Sequence, residues 1–449
     1  MSGGALAAPL EALRTADLHR RRGRVRGLIG LVIEAAGLRA SLGELCAIEA
    51  GRNAPPVAAE VVGFRDGGTL LMPLGPMDGI GPGTLVCATG RPFRLGVGPE
   101  LLGRVLDGLG TPIDGLPAPA AEAHRAVGAA PPPPLRRARI GERLSLGVRA
   151  LDGFVPCGTG QRLGIFAGSG VGKSSLLGMI ARSTSASVNV ICLVGERGRE
   201  VREFVERDLG EALERSVVVV ATSDQPALVR IKAALVATTV AEWFRDRGED
   251  VLLMMDSLTR LATAQRELGL AIGEPPAARG FTPSVFALLP RLLERAGTAE
   301  RGSITGLYTV LVEADDLNDP VADAARSILD GHCVLARELA HRGHYPAVDV
   351  LQSVSRLAGE VTPAEVREAA AELRELLAVH RQNEDLIAIG AYAAGTDARI
   401  DRAIALVPAL EAFLRQPVDE HVPAAVTDGL LLELAAAARE PAQLPAAQA

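Results

Sequence analysis

The stretch "IFAGSGVGKSSLLGMIAR", residues 165–182, is the most informative part of this 449-residue chain. An apolar run leads into a glycine-rich turn, and a helical pattern follows the turn directly. Glycines let consecutive backbone N–H groups curve around phosphate oxygens, and the helix adds the positive end of its dipole. The sequence therefore predicts a strand, a phosphate-binding loop and a helix, in that order.

One of the two lysines of the chain, Lys173, lies in this loop, although Lys and Arg together number 47. Arginine is a rigid planar fork, whereas the lysine ammonium is compact and rotates freely. A tight cradle around a triphosphate therefore favours lysine at this position. The other lysine, Lys232, is expected on a long helix with its side chain in solvent, as is usual for a charged helix residue.

The loop supplies most of the predicted nucleotide-binding residues, and the hydroxyl of Ser174 can bind Mg²⁺. This set comprises Gly168, Ser169, Gly170, Val171, Gly172, Lys173, Ser174 and Ser175. One position departs from the general pattern, because Ala167 stands where the pattern begins with glycine. The strand–loop–helix context still favours a phosphate site over a chance match.

Apolar strands alternate with helical segments from residue 160 onward, which is typical of a parallel sheet with helices on both faces. After about residue 357 the pattern is helical, and the tail "REPAQLPAAQA" (439–449) is expected to be disordered. Before the sheet, short apolar stretches between residues 25 and 92 alternate with turn residues and predict a small β-barrel. Residues 101–117 are expected to connect the two, and the Pro-rich segment 129–135 to act as a stiff spacer.

These patterns predict four regions in chain order. They are an N-terminal helix over residues 1–24, a barrel over 25–95, a nucleotide-binding domain over 96–356 and a C-terminal helical domain over 357–449. The helical pattern itself runs from residue 5 to 22. It is either a surface helix of its own domain or a docking helix for a partner protein, and the sequence does not decide between them.

Composition excludes several classes of protein. The net charge is −7 and aromatic residues make up 3% of the chain, which disfavours a nucleic-acid-binding protein. The five cysteines are scattered without metal-ligand spacing, as expected of reduced thiols in the cytoplasm. No apolar run is long enough to span a membrane, and the first residues do not resemble a secretory signal.

Two carboxylates follow predicted strands and complete a candidate ATPase site. Asp256 ends the strand "VLLMMD" and can bind the metal, although an aspartate there can also cap the next helix. Glu196 lies at the carboxyl end of the predicted strand "SVNVICLVGE", at the edge where parallel sheets bind ligands, and can orient the attacking water. Its neighbour Arg197 can hold Glu196 or bind phosphate.

Several longer stretches resemble the catalytic subunits of rotary ATP synthases and their type III secretion relatives, over nearly the whole chain. They include "GERGRE" (195–200), "DSLTR" (256–260) and "PAVDVLQSVS" (346–355). The resemblance implies a RecA-like P-loop core between a β-barrel and a helical domain. It also implies Mg²⁺-dependent ATP hydrolysis, because the glutamate of "GER" is absent from the non-catalytic subunits of that family.

The resemblance implies a role for each matching residue. Glu196 is the water-activating base, Asp256 the metal-binding acid and Arg260 an arginine near the phosphates. Arg356 corresponds to an arginine finger inserted into the site of the next subunit. Tyr345 corresponds to the residue that packs on adenine, although a tyrosine before proline can also pack in a core.

The family places further aromatic residues beside adenine, and this chain departs from that pattern. The matching positions are Val418 and Ala424, so we expect looser contact with the base.

Because one chain carries both Glu196 and Arg356, a ring of identical subunits would be self-sufficient. The resemblance implies a homo-hexamer, a dimeric regulatory subunit on the N-terminal helix and a coiled-coil protein at the centre. It also implies contact with export substrates, their chaperones and a membrane export gate, at the cytoplasmic face of the inner membrane.

Within the family, the stretches 91–115 and 387–416 most resemble flagellar protein-export ATPases. Virulence-type secretion ATPases are the alternative, because they share most of these stretches. They tend, however, to have glutamate where Ala391 stands, which favours the flagellar group. A rotary synthase subunit is disfavoured because the segment 361–386 lacks an acidic turn. An RNA-translocating hexamer would need stacking aromatics, and Phe64 and Phe93 are the only aromatic residues between 25 and 95.

Overall fold

The computed structural model describes residues 21–51, 54–312 and 319–439, which form two compact units. One unit extends to Arg94 and includes residues 226–228 and 267–275, and the other comprises the rest of the chain. Residues 5–20 of the helix predicted over 5–22 and residues 440–449 of the predicted disordered tail lie outside the described residues.

The first unit is a closed β-barrel, as predicted for residues 25–92. Its strands are β1 (Arg22–Ile29), β2 (Val32–Ala36), β3 (Glu44–Ile48), β4 (Val57–Arg65), β5 (Gly68–Pro73) and β6 (Leu85–Pro92). They close in the order β1-β2-β5-β4-β3-β6, and each observed pair is antiparallel. Inward-facing side chains such as Ile33, Ile48 and Leu71 are fully buried and form its core.

The first strand begins earlier than predicted. Residues 22–24, which we assigned to the N-terminal helix, pair with residues 85–87 of β6. Buried Gly23 and Val25 alternate with exposed arginines, which is the two-residue period of a strand. The stretch 25–35 is also two strands instead of one, because the chain turns at Gly30, where φ is 60°.

The second unit contains a large, mainly parallel sheet. The strands after the barrel are β7 (Arg94–Val97), β8 (Arg104–Asp107), β9 (Ala123–Ala126), β10 (Arg143–Leu144), β11 (Cys157–Gly158), β12 (Arg162–Ala167), β13 (Val188–Val194), β14 (Ser216–Ala221), β15 (Asp250–Asp256), β16 (Gly297–Thr298), β17 (Ser303–Leu311), β18 (Gly331–Leu335) and β19 (Val354–Ser355). The main sheet has the order β19-β18-β12-β17-β15-β13-β14-β8, with β16 paired to β17. All pairs from β18 to β8 along this order are parallel, which confirms the predicted sheet.

The α-helices of the described residues are α1 (Arg149–Phe154), α2 (Lys173–Ser183), α3 (Gly198–Glu203), α4 (Ala227–Arg245), α5 (Leu258–Ile272), α6 (Pro283–Leu293), α7 (Pro320–Ile328), α8 (Arg337–His341), α9 (Ala358–Val361), α10 (Ala364–Ala388), α11 (Ala398–Leu414) and α12 (Ala424–Arg439). A π-helical turn, Phe204–Leu209, follows α3. Short 3₁₀ turns occur at Pro99–Leu101, Pro134–Arg136, Gly210–Arg215 and Ala278–Gly280. None of these helices is both long and apolar enough to cross a membrane.

Two predictions about this unit were wrong. The region 101–117 is not only a connection, because it contains β8, which pairs with β14 at the end of the sheet. Lys232 is not in solvent, because its exposed fraction is 7%. It lies on α4, whose residues Ile231 and Ala233 are also buried. A helix that is apolar on nearly every side is enclosed, and so are its few polar side chains.

The C-terminal helices confirm the predicted helical domain. Helix α10 packs against α11 and α12, and α12 also packs against α1. Their contact surface buries Leu373, Leu410 and Leu431 completely. Phe154 of α1 and Phe413 of α11 meet edge to face, with ring centroids 6.3 Å apart.

Candidate active site

The loop between β12 and α2 has the conformation that phosphate binding requires. Gly170 and Gly172 have φ angles of 77° and 89°, a region that glycine adopts without the strain of a side chain. Lys173 is the first residue of α2, so the backbone N–H groups around it have no partner within the helix. Such a helix start binds anions. Val171 differs from its neighbours because its side chain is 1% exposed and packs in the core.

A cleft of about 850 Å³ opens over this loop, at the carboxyl ends of the parallel strands. Its walls include the predicted loop residues from Gly168 to Ser175 except Val171. Glu196, Arg197 and Arg260 also line the cleft. The structure thus brings most of the predicted site residues into one cavity.

Lys173 lies between two carboxylates at the base of this region. Its Nζ atom is paired with Asp256 and lies 3.8 Å from Oε1 of Glu196. Asp256 ends β15 and Glu196 follows β13, and these strands are neighbours in the sheet. Parallel pairing therefore places both acids at the same edge. The hydroxyl of Thr309 on β17 donates a hydrogen bond of 2.7 Å to Asp256.

Glu196 has an altered acidity. Burial and the neighbouring Asp256 raise the pKa of Glu196 to about 7, although Lys173 and Arg260 oppose that shift. Arg260 places its Nε atom 3.3 Å from Oε1 of Glu196 and also donates to the carbonyl of Gly195. A carboxylate with a pKa near neutrality is suited to accept a proton from water.

Arg197 is mostly outside this polar cluster. Its side chain is 75% exposed and pairs with Glu200 at 3.6 Å, so it faces solvent at the mouth of the cleft.

The donor atoms of the site fit a magnesium ion that is bound together with a triphosphate. Ser174 lines the cleft, and the carboxylate of Asp256 lies beside Lys173. Nucleotide-bound Mg²⁺ usually takes one or two protein carboxylates and completes its shell with phosphate oxygens and water. Nowhere in residues 21–51, 54–312 or 319–439 do three His, Cys, Asp or Glu side chains converge as a protein-only metal cage would require.

Arg356 lies away from the cleft of its own chain. It directly follows the edge strand β19, is exposed, and donates from Nη2 to the carbonyl of Arg326 at 3.2 Å. Arg326 is in the last turn of α7, where backbone carbonyls lack helical partners and attract cations. The guanidinium of Arg356 is therefore exposed at the edge of the sheet.

Tyr345 lies against the phosphate-binding loop. A Cβ atom on Gly172 would be 3.3 Å from Cε1 of the ring, and the tyrosine is 44% exposed. The alternative that Tyr345 packs in a core is therefore wrong.

Val418 and Ala424, where we expected looser contact with the adenine base, have different surroundings. Val418 is 43% exposed, and its carbonyl accepts a bond of 2.6 Å from Arg182 at the end of α2. Ala424 begins α12, and its backbone N–H donates to the hydroxyl of Ser145.

The cleft also contains residues that the sequence did not single out. Ser223, Thr259 and Arg337 follow the carboxyl ends of β14, β15 and β18, and all three line the cleft. The rule that parallel sheets bind ligands at this edge would have indicated them. Arg337 donates from Nη1 to the carbonyl of Ser169 at 3.5 Å, which adds a contact to the phosphate-binding loop.

Family models match three parts of the chain. Residues 25–90 match the β-barrel domain of the ATP synthase alpha/beta family, and residues 147–355 match its nucleotide-binding domain. Residues 362–431 match the C-terminal domain of the type III secretion ATPase EscN.

Similar proteins cover nearly the full chain. A flagellum-specific ATP synthase of Bacillus subtilis is 53% identical over 92% of this chain and 94% of its own length. A type 3 secretion system ATPase of Xanthomonas euvesicatoria is also 53% identical, over 91% of this chain and 92% of its own length.

Solved structures show the same fold. The assembled ATPase EscN from the type III secretion system of enteropathogenic E. coli superposes with a TM-score of 0.88 at 46% identity, covering 92% of this chain and 100% of that one. EscN in complex with its central stalk EscO gives a TM-score of 0.85 at 45% identity, with the same coverage. The chain therefore belongs to the ATP synthase alpha/beta family, in the group of flagellum-specific and type III secretion ATPases.

Proposed function

We propose that this ATPase is the motor of a flagellar type III protein-export apparatus. It would release export substrates from their chaperones, help to unfold them and deliver them to a membrane export gate. The observation that carries the mechanism is the convergence of Lys173, Glu196 and Asp256 beside one loop-lined cleft. The ATPase of a non-flagellar secretion system is the alternative, since relatives of both kinds are 53% identical to this chain.

The geometry supports a division of labour at the site. Backbone N–H groups of the loop and Lys173 bind the β- and γ-phosphates, and phosphate oxygens then replace Asp256 as the partner of Lys173. Ser174 and Asp256 would hold Mg²⁺, which when bound would neutralise charge on the phosphates. Glu196 accepts the proton of the attacking water, and Arg260 orients Glu196. Tyr345 packs on the base from its place beside Gly172.

The position of Arg356 supports catalysis between subunits. The cleft of the same chain does not include this residue, and its guanidinium is exposed at the edge of the sheet. A head-to-tail ring would bring that edge to the cleft of the next subunit. We therefore propose a homo-hexamer in which each chain supplies an arginine finger to its neighbour.

The remaining partners follow from the same proposal. A coiled-coil protein would occupy the centre of the ring, as the relative EscN binds its central stalk EscO. A dimeric regulatory subunit would bind the N-terminal segment before the barrel, residues 1–21. The complex would work in the cytoplasm, in peripheral contact with the membrane at the export gate.

Two measurements test the ATPase and its ring. Specific Mg²⁺-dependent ATPase activity should rise with protein concentration as rings assemble in sedimentation experiments. Glu196→Gln should still bind nucleotide but lose at least about 100-fold in turnover, because it cannot accept a proton. Concentration-independent activity from a monomer, or undiminished turnover in Glu196→Gln, would contradict the mechanism.

Complementation separates the two biological roles. In a Bacillus subtilis strain that lacks its flagellum-specific ATPase, this chain should restore motility, and its Glu196→Gln variant should not. A parallel test uses a Xanthomonas euvesicatoria strain that lacks its type 3 secretion ATPase. Rescue of secretion there, without rescue of motility in Bacillus, would favour the alternative.

A further inference from the structure

The segment 337–352 touches the phosphate-binding loop at two points. At its start, Arg337 donates to the carbonyl of Ser169 at 3.5 Å. Near its middle, the ring of Tyr345 lies against Gly172, so close that a Cβ there would be 3.3 Å from Cε1 of the ring. The segment thus contacts both the first half of the loop and the start of α2.

The same segment is tied to α10 by two ion pairs. Nη1 of Arg342 lies 2.9 Å from Oε1 of Glu384, and Nη1 of Arg381 lies 2.9 Å from Oδ2 of Asp349. Glu384 and Arg381 are three residues apart and therefore lie on one face of the helix. Asp349 is 2% exposed, whereas the Arg381 side chain is 42% exposed, so only the carboxylate of this pair is shielded from solvent.

The C-terminal helices also hold Tyr345 itself and the residue before it. The backbone N–H of Gln416, which follows α11, donates to the carbonyl of Tyr345 at 3.0 Å. Nε of Arg415 approaches Nδ1 of His344 at 3.4 Å. Tyr345 is therefore flanked on both sides in sequence by residues that contact the helical domain.

This contact combines an apolar core with polar groups. Val348 and Val350 of the segment belong to the same apolar core as Leu410 of α11. A cavity of about 90 Å³ lies between the segment and the helices, lined both by Leu and Val side chains and by charged residues and His344. His344 is 3% exposed, and its Nε2 atom has no hydrogen-bond partner within the described residues. Apolar packing and the two ion pairs together therefore hold the segment against the helical domain.

We propose that Arg381 and Glu384 are positioning residues for the ATPase site. By anchoring the segment on both sides of Tyr345, they hold the ring against the loop and so set the affinity for nucleotide. This inference rests on the proposed function, because it assigns the base-side contact of that same site to the helical domain. Without the anchors the segment samples more conformations, and nucleotide binding must order it again.

The test changes α10 alone and leaves the segment 337–352 intact. Arg381→Ala with Glu384→Gln removes both ion pairs and keeps the net charge. The matched control, Glu375→Gln with Arg399→Ala, removes an exposed pair of 2.7 Å between α10 and α11 and likewise keeps the net charge. All variants are made in the full chain with Glu196→Gln, so that a fluorescent ATP analogue with Mg²⁺ can be titrated without turnover.

We expect affinity to fall about three- to tenfold in the test variant and less than about twofold in the control. Arg381→Lys alone should retain affinity, because it keeps the charge opposite Asp349. In the active background, KM should rise while kcat stays nearly constant, since the base is bound equally before and during the reaction. Thermal unfolding reports whether each variant is folded. If the double variant is not folded, Arg381→Gln alone replaces it as the test variant.

Unchanged affinity in a folded test variant would overturn the inference and leave the proposed function standing. An equal loss in the control would also overturn it, because the effect would then be a general property of the helical domain. Failure of the Glu196→Gln reference chain to bind the probe would overturn the proposed function and this inference together.

Discussion

Neighbouring groups change the pKa of Glu196 in opposite directions, and the net shift affects stability measurably. Burial and Asp256 raise the pKa of Glu196 to about 7, above the ordinary value of 4.5 that applies in the unfolded chain. The folded state therefore binds a proton more tightly than the unfolded state does. A raised carboxyl pKa makes folding less favourable as pH rises from the unfolded value to the folded value.

Glu196→Gln should accordingly stabilise the nucleotide-free chain in a pH-dependent way. At pH 8 we expect a gain on the order of 2 kcal/mol in the free energy of unfolding, because the substitution removes a disfavoured charge. The gain should shrink as pH is lowered to 5. Denaturant unfolding at several pH values measures this difference.

Glu203→Gln is the control for this prediction, since Glu203 lies on α3 and its side chain is 49% exposed. It should change stability little at any pH. A gain for Glu196→Gln that is constant between pH 5 and 8 would contradict the assigned protonation.

Sequence reasoning identified Lys173, Glu196 and Asp256 because each follows a strand in a recognisable pattern. It could not identify Thr309, which donates to Asp256 at 2.7 Å, because that contact depends on the register between β15 and β17. It placed Lys232 in solvent because a single residue does not reveal that all sides of its helix are covered. Contacts across the sheet are set by tertiary pairing, which local sequence does not encode.

At the scale of elements, the phosphate-binding loop combines two different requirements for glycine. Gly170 has a φ of 77° with open space where a side chain would stand. Gly172 has a φ of 89°, and a Cβ there would press on the ring of Tyr345 at 3.3 Å. An alanine would be strained at both positions, but only at Gly172 would it also collide with the ring of Tyr345.

A double-mutant cycle separates the two effects. Gly170→Ala and Gly172→Ala should each destabilise the chain by about 1 kcal/mol through the positive φ. Gly172→Ala should cost more in the presence of Tyr345 than in a Tyr345→Ala background, with a coupling of roughly 0.5–1 kcal/mol. Denaturant unfolding of the four combinations measures it.

The cycle of Gly170→Ala with Tyr345→Ala is the control and should be additive. Additivity in the Gly172 cycle as well would show that the ring does not rest on the loop. That result would also remove the link on which the positioning role of α10 depends.

Long, strongly patterned elements were predictable, and short ones were not. The strand before the loop, the buried strands β13 and β14 and the C-terminal helices all have clear periodicity. Strands β8 and β19 have four and two residues, and they exist because distant partners complete them. Such elements are defined by pairing over long sequence separations and leave little signal of their own.

At the scale of the molecule, one chain does not bring all of the predicted site residues into its own cleft. The acids, Lys173 and the loop converge in one cleft, whereas Arg356 projects from the edge of the same sheet. Its neighbour His332, whose pKa is lowered by burial, lies on the adjoining strand beside Arg326 and Arg356. The lowered pKa favours the neutral form of His332, and Arg326 pairs with Asp323 at 3.2 Å. The phosphates of a neighbouring cleft would give Arg356 an anionic partner.

Mixing two inactive chains tests whether the sites are completed between subunits. Lys173→Ala lacks a working cleft but keeps Arg356, whereas Arg356→Ala lacks the finger but keeps the cleft. Neither should hydrolyse ATP alone. In randomly mixed rings of equal parts, about a quarter of the interfaces combine an intact cleft with an intact finger, so activity should recover towards that fraction.

The recovered ATPase activity should depend on the assembly of mixed rings, and this dependence distinguishes shared sites from residual activity of either chain. Activity should appear only at concentrations where sedimentation shows mixed rings, and it should peak near equal proportions of the two chains. Mixing Lys173→Ala with Glu196→Gln is the control: both lesions lie in the cleft, so no interface is competent and no activity should return. If the Lys173→Ala and Arg356→Ala chains form mixed rings but no ATPase activity returns, the arginine finger acts within its own subunit. That outcome would contradict a shared site.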